Sequence, residues 1–511
     1  MSNPKAPSHI LAGIVLSLIS GCAVGPNYHP PATPVPPAFG ATVNQPAIPP
    51  AATNAVAESL DLKRWWENFR DPVLNQLIEQ AMATNLDVRL AEARVREARA
   101  QLQATRAGLF LTVDSSASYT RSRISPNTFS TGAPATSGTG TPVPAFGVPL
   151  TSSLYKAGFD ASWEIDVFGG TRRQVEAAHY TLEAQIEARR NALLTLLGEV
   201  AQNYAALRGY QQQLAIVHTN LFTQQDTLRL QQSKLQAGLA TDLDVANAES
   251  QAASTESQIP TLRTQVQQAI HQLSILLDRE PSALEAMLLP AAPLPGGPPA
   301  VPPGLPSELL RRRPDIRQAE RQLAVATANI GVATADLFPK FNLTGSAGLE
   351  SISLSTFANS SSRFWSFGPT VTWRIFAAGQ IRANIRVQNA RQEEAFIQYR
   401  QAVLQSLQDV ENALVAYDQE QIRRRSLRQA ADSGRRAVSL ALRLNGAGVV
   451  DFLNVLNAQQ TLYQTELQLA QSEQNVVTDL VSLFKALGGG WEAGEEQAAL
   501  RGASESKSAA R

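Results

Sequence analysis

The sequence predicts a mainly helical protein with a β-barrel part and an internal two-fold repeat, and three observations within its 511 residues carry that prediction. The first is self-similarity. Asp87-Val88-Arg89-Leu90-Ala91-Glu92 recurs as Asp315-Ile316-Arg317-Gln318-Ala319-Glu320, an offset of 228 that holds without gaps to Leu109-Phe110 against Leu337-Phe338. Farther on, Ala237-Gly238 and Val245-Ala246-Asn247-Ala248 recur as Ala447-Gly448 and Val455-Leu456-Asn457-Ala458 at an offset of 210. The second observation is four segments of about ten residues that alternate apolar and polar side chains, the length a tilted strand needs to cross a bilayer. The third is helical sequence of unusual length: between Gly170 and Gly238 there is no proline, and only Gly198 and Gly209 interrupt. Each copy therefore reads helix, strand, loop, strand, very long helix, turn, long helix.

In chain order, the apolar stretch Ile10–Ile19 behind Lys5 is too short to span a membrane and has the form of a signal-peptide core. It runs into Ile19-Ser20-Gly21-Cys22, which resembles a bacterial lipobox, and the chain's single cysteine occupies the lipidation position. Residues 1–21 are then a lipoprotein signal peptide, and Cys22 is expected to carry diacylglycerol and an N-acyl chain. Ala23 rather than aspartate follows, which under the usual sorting rule sends the lipoprotein to the outer membrane. Residues 22–57 are rich in proline and read as an extended lipid-anchored tether.

The first repeat is placed at 58–280, with strands at about 111–121 and 157–167 and a helical hairpin at about 171–278. The second is placed at 305–491, with strands at about 341–350 and 365–376 and a hairpin at about 380–487. Between the repeats, 281–304 reads as a Pro-rich linker, and 492–511 as a disordered tail. The eighteen-residue surplus of the first repeat falls in Ser125–Pro149, a Thr/Gly/Pro/Ser-rich loop.

In the strands, Val113, Ala117 and Tyr119 oppose Asp114, Ser116 and Ser118, and Phe159, Ala161 and Trp163 oppose Asp160, Ser162 and Glu164. The aromatics Tyr119, Tyr155, Trp163, Trp365 and Trp373 fall near strand ends, as membrane-interface residues do. Four strands cannot close a barrel, and open edges are not tolerated in lipid, so several chains must share one barrel. The alternative is a soluble sheet covered on one side. Along the first long helix, Val175, Ala178, Leu182, Ile186, Arg189, Leu193 and Leu197 follow an eleven-residue spacing, Arg189 being the polar break. That spacing suits nearly straight packing. Leu207, Leu214, Leu221, Leu228 and Leu235 then recur every seven, as a left-handed coiled coil requires. Such a helix would be about 100 Å long at 1.5 Å per residue. Thr241 and Asp451 are N-cap candidates after the glycine turns, and Pro260 should kink the returning helix of the first copy.

Composition removes most other functions. Lys+Arg and Asp+Glu both number 44, so the basic excess of a nucleic-acid binder is missing. The one dense basic run, Arg311-Arg312-Arg313, reads better as a helix-start segment before Pro314. One cysteine excludes an internal disulfide and a Cys-based metal cluster, and the five histidines are scattered. No P-loop or serine-hydrolase elbow is present. Asp160, Glu164 and Asp166 could mimic a catalytic carboxylate cluster, but lining a water-filled lumen explains them better.

Trp65-Trp66-Glu67-Asn68-Phe69-Arg70-Asp71-Pro72, Trp163-Glu164-Ile165-Asp166-Val167-Phe168-Gly169, Arg313-Pro314-Asp315-Ile316-Arg317, Asp336-Leu337-Phe338-Pro339 and Lys485-Ala486-Leu487-Gly488-Gly489-Gly490-Trp491, in this order, resemble TolC-like outer-membrane efflux channels of the OprM- and NodT-like lipoprotein subgroup. The resemblance covers residues about 60–491. It implies a homotrimer, with four strands per chain making a twelve-stranded barrel and the helices an α-helical tunnel in the periplasm. It implies no enzyme activity and no cofactor besides the lipid. The partners implied are a periplasmic membrane-fusion adaptor, an inner-membrane pump of the resistance–nodulation–division type and outer-membrane lipid, with no nucleic acid. It places the periplasmic aperture at Asp451, Leu453, Asn454 and Asn457. Leu453 matches an apolar ring position, whereas Asn454 and Asn457 stand where relatives carry acids, so the cation binding of a carboxylate ring is weakened here. It places the adaptor contact at Gly238, Leu239, Ala240, Thr241, Gly446, Gly448 and Val449. The alternatives are a duct for type I protein secretion and, in a different class, a lipid-anchored periplasmic coiled-coil scaffold.

Overall fold

The computed structural model describes residues 23–40, 62–125, 151–297 and 306–495. Cys22, the signal segment, most of the loop Ser125–Pro149 and residues 496–511 lie outside them. A 3-10 turn at Leu62–Phe69 leads into α1 (Pro72–Thr84) and α2 (Leu86–Ala107). Then come β1 (Thr112–Arg123), β2 (Thr151–Ile165), α3 (Gly170–Gln236), α4 (Asp242–Glu256), α5 (Gln258–Leu276) and the short α6 (Glu285–Leu288). The second half gives α7 (Pro306–Arg312), α8 (Pro314–Ala335), β3 (Lys340–Ser351), β4 (Arg363–Thr372), α9 (Gln380–Gly446) and α10 (Phe452–Ala486). No described helix is long and apolar enough to cross a membrane.

The repeat is visible in the backbone. Gly169 and Gly379, Gly238 and Gly448, and Asp278 and Gly488 form three pairs, each separated by 210 residues, and all six adopt positive φ. The compact units nevertheless cut across the repeats. One comprises the described parts of Met1–His29, Ala98–Thr181 and Leu323–Ala395; the other comprises those of Pro30–Glu97, Leu182–Gln322 and Phe396–Arg511.

The first unit holds one antiparallel sheet in the order β1-β2-β3-β4. Its register aligns the two alternating patterns throughout. Val113 faces Ala161, Trp163 faces Leu343 and Phe341 faces Val371; on the opposite face Asp114 meets Asp160, Lys156 meets Glu350 and Ser346 meets Ser366. Side chains alternate faces along a strand, so this register makes one face apolar and the other polar. The apolar face is exposed at Val113, Phe159, Phe367 and Val371, and among the described residues β1 and β4 each pair on one side only. β2 begins at Thr151, six residues before the expected start, because Ser152, Ser153 and Tyr155 pair with the whole C-terminal part of β1. β4 ends at Thr372 rather than 376: the Trp373 indole turns to donate to the Leu337 carbonyl at 3.0 Å.

The segment after Cys22 is extended, as its prolines require, but it is docked rather than loose. Val24 N–H donates to Phe168 O, and buried Arg173 donates to Val24 O, Gly25 O and Asn27 Oδ1 at 3.1, 3.3 and 2.7 Å. A Cβ on Gly25, whose φ is +89°, would stand 2.5 Å from the Gly331 Cα, so only glycine permits this approach.

In the helical unit, Trp65, Trp66 and Phe69 pack around Phe484, with the Trp65 ring stacked on it at 5.3 Å. Asp71 caps α1 through Val73 N–H and Leu74 N–H and accepts from Tyr204 Oη at 2.7 Å; burial pushes the Tyr204 hydroxyl up to about 12. Arg189, the break in the apolar stripe, donates to Glu92. Of the basic run, Arg313 is buried, bridging Asp315 and Asp409 and donating to Ala486 O as a structural clasp. Of the expected disordered tail, 492–495 are helical and the rest lies outside the described residues. Helix continues to Glu495, which pairs with Arg190 at 2.7 Å, and Arg190 and Arg317 flank the Trp491 ring. The 281–304 segment is seated where it is described, since Leu284 and Leu288 are buried and Arg208 and Gln211 hold Pro290 O and Leu288 O.

The candidate aperture at the hairpin tips and the interface aromatics

The two hairpin turns share one backbone design. In the first, Gly238 N–H reaches Leu235 O and Leu239 N–H reaches Lys234 O; in the second, Gly448 N–H reaches Asn445 O and Val449 N–H reaches Leu444 O. Glycine at φ +73° and +75° lets each helix end in this left-handed cap. The turns project apolar side chains into solvent at matched positions: Leu239 and Val449 are 78 % and 68 % exposed, Leu243 and Leu453 69 % and 56 %. Ala240 is half-buried, while Thr241, Gly446 and Asp451 are exposed.

Leu453, Asn454 and Asn457 lie together on the exposed face of the first turns of α10, opposite buried Phe452 and Val455. Spacing of one, three and four residues on a helix brings them to one side. Asp451 sits at the N-cap but makes no side-chain cap bond. Thr241 instead forms a full capping box with Asp244, accepting from its N–H at 3.2 Å while Asp244 Oδ2 accepts from Thr241 N–H at 3.0 Å. One further contact joins positions far apart in the chain. Lys234 Nζ donates to Asn445 Oδ1 at 3.3 Å, and Asn445 Nδ2 donates to Val450 O, linking the two tips. Only the tertiary pairing of the hairpins brings these residues together.

In the sheet unit, four of the five aromatics fall toward its two ends. Tyr119 and Tyr155 are direct cross-strand partners with ring centroids 4.7 Å apart, whereas Trp365, opposite Ala347 on β3 and so level with Phe159, lies midway along the sheet. At the other end Trp163 Nε1 donates to Leu109 O and Trp373 Nε1 to Leu337 O, both at 3.0 Å. These are one interaction repeated, because Leu109/Leu337 and Trp163/Trp373 are equivalent positions of the two copies. Interfacial tryptophan combines an apolar ring with a polar handle, and here the handle is satisfied internally. Asp160 accepts from Ser116 on the polar face, whereas Asp166, one residue past β2, accepts from Arg172 N–H at the start of α3.

Residues 77–278 and 305–489 match the model of the outer membrane efflux protein family. The chain belongs to that family. The pyoverdine export outer membrane protein OpmQ of Pseudomonas putida is 35% identical over 464 residues, covering 90% of this chain and 95% of that protein. The probable outer membrane lipoprotein SilC of Salmonella typhimurium is 29% identical over 483 residues, covering 94% and 98%. Among solved structures, the outer-membrane channel OprN matches with a TM-score of 0.81 at 35% identity, over 92% of this chain and 100% of that one. As an outer membrane efflux protein, the chain is the outer-membrane component of a tripartite efflux system, a passive duct and not an enzyme. The sequence motifs thus led to the right family and fold.

Proposed function

We propose that the protein works as a homotrimeric duct, lipid-anchored at Cys22, that receives small molecules from a resistance–nodulation–division pump through a periplasmic adaptor. The observation that carries the reading is the sheet. Four strands with an exposed apolar face and two half-paired edges satisfy neither water nor lipid, and sharing one closed barrel among copies removes both problems. Three copies give twelve strands. The tips support the adaptor contact, because Leu239 and Val449 present apolar surface on turns whose glycines allow close approach. Leu453, with Asn454, Asn457 and Asp451, forms the aperture, and the asparagines make it a hydrogen-bonding ring rather than a cation trap. Cys22 in its lipobox, and the likeness to a lipoprotein, support the anchor.

The test is single-channel conductance of the purified protein in planar bilayers, with the mass measured in the same detergent. A three-chain particle of low conductance that rises several-fold in Leu453→Ser is the expected result. A particle without conductance in either form would replace the duct with an anchored scaffold.

A further inference from the structure

A second polar feature stands apart from the tips. In the helical unit, a cavity of about 700 Å³ lies between the segment Ala291–Gly297 and helices α3, α9 and α10. That volume falls within the roughly 300–1,000 Å³ typical of small-molecule sites. The wall is built, not incidental. Arg208 and Gln211 hold the carbonyls of Pro290 and Leu288, and Gly297 lies so close to Leu480 that a Cβ there would stand 2.3 Å from its Cδ2. The floor is apolar, formed by Leu294, Val476, Val477 and Leu480.

One cation lining this cavity, on half-buried Arg424, has no partner among the described residues. Arg424 has its Nε buried without an acceptor. It is close enough to Tyr417 for its charge to act on the hydroxyl. The carboxylate in the lining, Glu473, is already engaged by Gln212 at 2.9 Å and Arg428 at 2.8 Å. A guanidinium N–H removed from water without an acceptor costs free energy, and a planar carboxylate is the group that matches its geometry.

We propose that this cavity binds an amphipathic carboxylate of fatty-acid type, its head group on Arg424 and its chain over Leu294, Val476 and Leu480. The site is independent of the aperture and of the adaptor surface. Its occupant would brace the Ala291–Gly297 segment against α9 and α10, which meet here.

A photoreactive palmitate bearing a diazirine on its chain, and its methyl ester, serve as probes of the full-length protein in neutral detergent, with cross-linked peptides located by mass spectrometry. The acid should label peptides containing 291–297 or 473–480. Arg424→Gln should reduce that labelling about tenfold, Arg424→Lys, which keeps the charge but not the planar fork, should retain part of it, and Leu480→Trp, which fills the floor, should abolish it. The ester should label the wild type no better than the acid labels Arg424→Gln. Equal labelling by acid and ester, labelling indifferent to Arg424→Gln, cross-links elsewhere, or no cross-link at all would each overturn the proposal. The Lys and Gln variants share one fold requirement, so a folding defect at Leu480→Trp leaves the test intact.

Discussion

The two helical hairpins descend from one unit, yet they differ in how much of their structure is locally fixed. Their turns coincide bond for bond, from the positive-φ glycine to the carbonyl each following amide reaches. Their returning limbs do not. The first is split at Ser257 into α4 and α5, while the second runs unbroken through α10. The cause is Pro260, which cannot donate to Glu256 O and crowds it, so the break falls just before. The equivalent residue in the second hairpin is Ala470, buried at 1 % exposure. The N-caps differ as well: Thr241 is boxed with Asp244, whereas Asp451 makes no side-chain cap bond. Duplication preserved the backbone of the turn, and divergence moved the second tip's side-chain tie from its N-cap to Asn445, whose Nδ2 donates to Val450 O. That tip also carries the proposed aperture.

Four experiments probe this contrast. The largest stability loss is expected from Ala470→Pro, which imposes the first hairpin's break on a buried site of the second. It should cost about 3 kcal/mol or more, read as a lowered thermal midpoint of the detergent-solubilised protein, whereas Pro260→Ala should cost little. Next, Leu453→Ser should raise conductance several-fold while Leu243→Ser, its counterpart on the first hairpin, leaves conductance near wild type; equal effects would erase the functional asymmetry. Third, Thr241→Ala should destabilise the first tip by about 1 kcal/mol, seen as faster amide exchange at 242–245, and Asp451→Ala should change the second tip by less. The smallest effect concerns pH. Burial, helped by the nearby Glu420 charge, pushes Asp479 up to about 6, and the first hairpin has Ala269 in its place. A carboxyl whose folded value is raised holds its proton more tightly when folded. Its stabilising contribution is therefore complete below about 4 and lost as pH rises through about 6. Asp479→Asn should flatten the thermal midpoint across that window, by a small amount because solvent screens a half-exposed group.

Period and punctuation made most of the architecture readable. Alternation in β1 and β2 placed their faces, and the register places Val113, Phe159 and Val371 on one side as the pattern required. The glycines at 238 and 448 marked the turns, because no other residue adopts that backbone cheaply. What escaped depended on partners distant in the chain. Arg189 read as a flaw in an apolar stripe until Glu92 supplied its counter-charge, and Arg313 read only as part of a helix start until Asp409 and Ala486 enclosed it. Trp373 satisfied the alternation of β4 but left the strand for the Leu337 carbonyl. At the tips, the Lys234–Asn445 link joins residues 211 positions apart, which no local pattern encodes.

The half-paired edges of β1 and β4 also bear on how the protein reaches its membrane. A lone chain entering the bilayer would expose two rows of unbonded peptide groups to hydrocarbon, so under the proposed shared barrel insertion would wait for, or coincide with, association of subunits. Encounter frequency thereby enters the rate law: insertion should slow more than proportionally when the supply of subunits is diluted. Scarce expression would then delay the arrival of finished ducts far more than it reduces the amount of chain made.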